Sequence, residues 1–127
     1  MDSKLRACVA YITGRLISGR DFSSIYDGSR SIDVEIEGSI KPDYINLFDH
    51  DRQCYVAGQG NGNFYNLHDY GGQCFFELSI EGDTFHGYDY QTPCSFKGDV
   101  KGDTVCLYDD QFCQTFNFKF SSSVFTG

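Results

Sequence analysis

Aspartate recurs along the chain at Asp27, Asp49, Asp69, Asp89 and Asp109, at intervals of 22, 20, 20 and 20 residues. A row of carboxylates can bind cations or divide into acid and base. The spacing argues against both. In a sheet with ~4.8 Å between strands, carboxylates on every second strand lie about 9.5 Å apart. That is too far to share one Ca²⁺, whose ligands sit at ~2.4 Å. An aspartate that ends a strand and accepts hydrogen bonds from turn amides needs one copy per turn, which is the observed pattern. His50, His68 and His86 are 18 residues apart, so they fall on alternate strands and step along them. Neighbours are then about 10 Å or more apart, which excludes a three-histidine metal centre with ligands at ~2.1 Å. Cys54, Cys74 and Cys94 are also 20 residues apart, and no C-x-x-C pair exists. Disulfides need Cα atoms within ~7 Å, so these cysteines read as inward-facing free thiols that pack like small hydrophobes. A Cys–His pair such as His86 and Cys106, which share a repeat position, is possible in principle. There is no G-x-S-x-G, Walker or H-E-x-x-H motif, and the G-x-G-x-G of Gly58, Gly60 and Gly62 falls between strands rather than before a helix. The expectation is no catalytic residue, no metal site and no cofactor.

The elements that carry these residues are five tandem copies of one unit. YINLFDHDRQCYVAGQGNGN (Tyr44–Asn63) recurs as FYNLHDYGGQCFFELSIEGD, TFHGYDYQTPCSFKGDVKGD and TVCLYDDQFCQTFNFKFSSS, the last ending at Ser123. A copy two residues longer runs from Phe22 to Asp43. Repetition at a fixed period dictates architecture before any single residue does. Positions 2–7 of each copy read as a strand, positions 8–10 as a turn and positions 11–18 as a second strand with period-2 alternation, as in Cys74, Phe76, Leu78 and Ile80 against Phe75, Glu77, Ser79 and Glu81. Gly82–Asp83 and Gly102–Asp103 suit tight hairpins that need positive φ. In copy five Cys113 arrives one place early, which predicts a shortened turn.

Five hairpins give ten antiparallel strands and a mainly β fold. A ten-stranded up-and-down barrel is expected, because closure removes edges that an open hairpin-repeat sheet, the alternative, would leave exposed. Strand spacing and a tilt near 40° give a diameter of roughly 20 Å. Before the repeats, Leu5, Cys8, Val9, Ile12, Leu16 and Ile17 mark the apolar stripe of a helix over residues 4–18, with Ser3 as its cap and Gly19 as its stop. That helix plugs a mouth or the interior of the barrel. The whole chain, residues 1–127, reads as one domain: the helical segment 1–20 and the repeats 22–123.

Charge narrows the partners. The net charge is -8, yet residues 1–20 hold four basic residues against one acidic one, so the repeats are more acidic still. Such a body repels phosphate, which argues against nucleic acid and anionic membranes. No apolar run approaches the ~18 residues of a membrane span, and Arg15 interrupts where a signal peptide needs small neutral residues. A cytoplasmic protein with free cysteines is expected.

The runs Ser24–Ile25–Tyr26–Asp27, His68–Asp69–Tyr70 and Tyr88–Asp89–Tyr90 resemble the Tyr-Asp-Tyr β-hairpin repeats of small bacterial proteins, some carried on mobile gene cassettes. The resemblance spans about residues 22–123 and implies no activity. In size and strand count the chain is also distantly similar to intracellular lipid-binding barrels, which place two helices between their first strands rather than one before them.

The function expected is binding without catalysis. A small apolar or aromatic ligand would sit inside the barrel against Leu47, Val56, Leu67, Phe76, Phe85 and Phe96. The alternative is a structural or protein-interaction module. Its outward aromatic belt, with Phe48, Tyr70, Phe75, Tyr88 and Tyr90 at the interface and Tyr55 and Tyr108 beside them, would form a homo-oligomer or receive the helix.

Overall fold

The computed structural model describes residues 1–121. Ser122 and Ser123, the end of the fifth copy, lie outside them. Each copy folds as one hairpin: β1 (Ser24–Asp27) with β2 (Ile32–Lys41), β3 (Tyr44–Asp49) with β4 (Cys54–Gly60), β5 (Phe64–Asp69) with β6 (Cys74–Glu81), β7 (Thr84–Asp89) with β8 (Cys94–Lys101), and β9 (Thr104–Asp109) with β10 (Gln114–Lys119). All neighbours are antiparallel, and β10 returns to β1 to close the barrel. Alternation decides which way each strand faces: Ile45, Leu47 and Asp49 are buried in β3 while Tyr44 and Asn46 are exposed.

Strands end one residue earlier than the sequence suggests, at the repeated aspartate, because its side chain caps the turn that follows. The last residue of that turn is left-handed at Ser31, Gln53, Gln73 and Cys113, with φ between 51° and 55°. The turn of copy five is therefore not shortened. Cys113 fills the left-handed slot, and β10 starts at Gln114 where β4 starts at Cys54.

The pairing register sets the width. Asp49 faces Cys54 in its own hairpin, and Val56 faces Asp69 of the next, a step of two residues. The same step recurs along β6 and β8. Along β2 and β10 the step is four: Ile32 faces Asp27 and Ile36 faces Asp49, while Gln114 faces Asp109 and Phe118 faces Asp27. The two extra residues of copy one are thus the extra stagger of β2. The fourteen residues of total stagger over ten strands imply a tilt of roughly 45° and a diameter of about 20 Å. At Gly38, Gly58 and Gly98 a Cβ would fall 2.0–2.2 Å from a carbonyl oxygen of the facing strand, so glycine is what lets the strands approach there.

A wall about 10 Å from the barrel axis leaves room for one helix, since packed elements sit ~8–10 Å apart. α1 (Ser3–Ser18) takes that room. Ten consecutive residues, Leu5 to Gly14, are buried, which a helix lying on a surface cannot achieve, and α1 contacts β1, β2, β8 and β9. The small residues Ala7, Ala10 and Gly14 let it fit. A Cβ on Gly14 would meet Phe22 at 3.2 Å and Phe120 at 3.3 Å. Those two rings stack at 4.2 Å beneath the helix. The Tyr11 hydroxyl donates to the Phe22 carbonyl at 2.7 Å and accepts from Arg15 at 2.8 Å. Burial raises the pKa of the Tyr11 phenol, partly offset by the Arg15 charge. The N-cap is Asp2 rather than Ser3: its carboxylate accepts from the Lys4 amide at 3.2 Å. Gly19 closes the helix in a left-handed conformation, φ 70°. Among the described residues, no helix is long and apolar enough to cross a membrane.

Candidate functional site: an aspartate ring inside and an aromatic belt outside

All five repeat aspartates point into the barrel at one end and are buried. In each, Oδ1 accepts the amide two residues later, from Ser29, Asp51, Gly71, Gln91 or Gln111, at 3.0–3.1 Å. This is the turn-closing role expected of them. The other oxygen is also taken. Arg30 donates to Asp27 at 2.7 Å and to Asp51 of the next copy at 2.8 Å. Arg52 repeats the pattern on Asp49 at 2.9 Å and Asp69 at 2.8 Å. Asp89 accepts the Thr92 hydroxyl at 2.7 Å. Asp109 accepts Arg6 of α1 at 3.1 Å and pairs with the α-amino group of Met1, also at 3.1 Å; that amino group donates to Gln111 as well. The Arg6 guanidinium lies 3.6 Å from the centre of the Phe116 ring.

The partners of Asp27 and Arg52 favour their charged forms. Burial lifts the Asp27 carboxyl, but hydrogen bonds from Arg30 and Ser29 and the Arg30 charge outweigh it and hold its pKa below the ordinary value. Burial opposes the Arg52 charge, and the hydrogen bonds of Asp69 and Asp49 reverse that, so it stays protonated. Four of the five carboxylates pair with a cation, and Asp89 is held by an amide and a hydroxyl. Among the described residues no group of three His, Cys, Asp or Glu side chains is arranged to hold a metal ion.

The six cysteines are free. Cys54, Cys74 and Cys94 are half-buried rather than fully buried, because they stand at the turn end of their strands. Cys8 on α1 is fully buried, and desolvation pushes its thiol far up, as it does Cys54 less strongly. His86 on β7 and Cys106 on β9 line one outer groove, with β8 between their strands.

The space inside the barrel is not a ligand cavity. Leu47, Val56, Leu67, Phe76, Phe85 and Phe96 face inward as expected, but they are buried in one continuous core with Leu5, Val9 and Ile12 of α1. The helix occupies the place where the apolar ligand was expected.

The aromatic belt lies on the outer wall, and α1 makes no use of it, so the expectation that it receives the helix does not hold. Phe48 packs on His50 and Tyr55, each with ring centroids 4.9 Å apart. His68 packs on Tyr70 at 4.3 Å and Phe75 at 4.6 Å, and Tyr88 on Tyr90 at 4.8 Å. Phe48 and Tyr88 are half-buried, whereas Tyr55, Tyr70, Phe75 and Tyr90 keep 54%, 51%, 56% and 49% of their surface exposed. Carboxylates reach two of the clusters: Glu37 to His50 Nε2 at 3.0 Å, and Glu77 accepting the Tyr90 hydroxyl at 2.9 Å, which raises that phenol. A groove of about 780 Å³ crosses β4 to β6, lined by Ala57, Gln59, Asn66, His68, Phe75 and Glu77 and edged by Tyr90.

No protein-family model, curated protein or solved structure matches the chain.

Proposed function

We propose that the chain is a non-catalytic protein-interaction module that recognises its partner through the outer aromatic belt. The observation that carries this reading is that Tyr55, Tyr70, Phe75 and Tyr90 stay exposed on a barrel whose core is complete without them. Large apolar rings gathered on one surface are the composition of recognition sites. A rigid wall also loses little entropy when it binds. Charge favours a basic partner over a second copy. The chain carries a net -8, and its basic helix is enclosed, so two such surfaces repel each other.

The test is an array of short peptides graded in net charge, probed with the protein and with a variant in which all four exposed rings are serine. Retention of basic peptides by the parent and not by the variant is the expected result. Equal binding by both would sink the reading. Sedimentation of the free protein is the companion measurement. A belt-dependent dimer would favour the homo-oligomer instead.

A further inference from the structure

One position of the repeat faces the belt ring directly across each join between hairpins. Glu37 faces Phe48, Ala57 faces His68, Glu77 faces Tyr88, Lys97 faces Tyr108 and, at the closing join, Lys119 faces Tyr26. Four of these five places are occupied by a charged side chain, and Ala57 is the exception. At β2–β3 and β6–β7 a carboxylate holds the side chain at the end of the strand, His50 or Tyr90. At β8–β9 the chain supplies a cation: the Lys97 ammonium lies 5.7 Å from the centre of the Tyr108 ring. At β4–β5 the equivalent residue is Ala57, which is short and uncharged, and the groove lies there.

We propose that this groove is a subsite for a lysine ammonium group of a partner protein, taking the place that Lys97 takes at its own join. It deepens the interaction-module reading and rests on it. The surroundings fit an ammonium better than an apolar group. Phe75 and Tyr90 stand in the groove lining, and aromatic rings attract a cation at up to about 6 Å. Glu77 stands in the groove wall and pairs with no basic residue among the described residues, and an apolar occupant would strip it of water without compensation. His68 Nδ1 is buried without a hydrogen-bond partner in the same wall. The repeat thus contains both the empty site and, two hairpin joins away, a version filled from within.

The probe is N-acetyl-lysine methylamide, whose one charge is the side-chain ammonium, with N-acetyl-norleucine methylamide as the neutral control. NMR titration of the folded protein should show saturable shifts at His68, Phe75 and Tyr90 with the lysine probe and not with norleucine. Glu77→Gln and Phe75→Leu should each weaken it roughly three- to tenfold. Ala57→Lys, on an outward position, should fold with an unchanged melting temperature and abolish the response, because its own ammonium fills the groove. Lys97→Ala should open a second responsive site at Tyr108. Equal shifts from norleucine, or an undiminished response in Ala57→Lys, would overturn the subsite. If basic peptides still bind Ala57→Lys as they bind the parent, the subsite fails and the belt reading survives. If the lysine probe titrates but no basic peptide binds, the belt reading is the one that fails.

Discussion

Arg52 holds two aspartates from neighbouring repeats with one guanidinium, and its side chain is only 8% exposed. Removing the cation from such a buried set leaves both carboxylates uncompensated, whereas a neutral hydrogen bond is worth far less. Arg52→Met should therefore cost about 3 kcal/mol and Asp89→Asn, whose partners are an amide and a hydroxyl, about 1 kcal/mol. Urea midpoints at constant slope would measure both, and equal costs would contradict the assignment. Asp27 sets the acid limit. Its pKa is depressed in the fold, so its contribution is present above the unfolded value near about 4 and is lost as pH falls through the lower, folded one. Acid unfolding should begin below about pH 4, and Arg30→Met should move its midpoint upward. The turn-closing role of the aspartates was legible from their period. The arginines were not read, although the signal is there: Arg30 and Arg52 each stand three residues after the repeat aspartate. Arg6 offered no such signal, because only the enclosure of α1 makes a charge beside Phe116 sensible.

At the scale of elements, the hairpins were legible and the place of the helix was not. Period-2 alternation and glycine turns define each hairpin locally, and the pairing follows from chain order. The helix showed a stripe of large apolar residues that reads the same whether it docks on one surface or stands inside a ring. What distinguishes the cases is the opposite face, where Ala7, Ala10, Thr13 and Gly14 are buried too. Their shortness fits a narrow bore, but small residues look neutral on any hydropathy count. The energetic contrast is large. Ile12→Ala should cost about 2–5 kcal/mol, because the cavity it leaves is walled by strands on all sides. Phe75→Ser, on the belt, should change stability by no more than about 0.5 kcal/mol. Thermal or denaturant unfolding of the two variants decides it, and a similar loss for both would mean that the belt is a structural element.

For the whole molecule, closure is uneven. β1 and β10 share two residue pairs, while most hairpin partners share six. Amide hydrogen exchange should accordingly be fastest along this seam and slowest in β5 and β6, since local opening frees the segments with least pairing. Uniform protection around the ring would contradict this. The register also sorts the copies. Copies two, three and four advance by two residues, and the terminal ones by four, so the first and last hairpins are not interchangeable with the rest. The single enclosed helix has a consequence for how such a chain can lengthen. Repeat proteins ordinarily grow by duplicating a unit, and an open stack sets no limit. Here a sixth hairpin would widen the bore to roughly 24 Å, since diameter rises about linearly with strand number. The same helix would then rattle in a gap of about 2 Å all round, too thin for water and too wide for dispersion contacts. Duplication in this architecture has a natural stopping point, where the circumference of the wall meets the girth of the rod inside it.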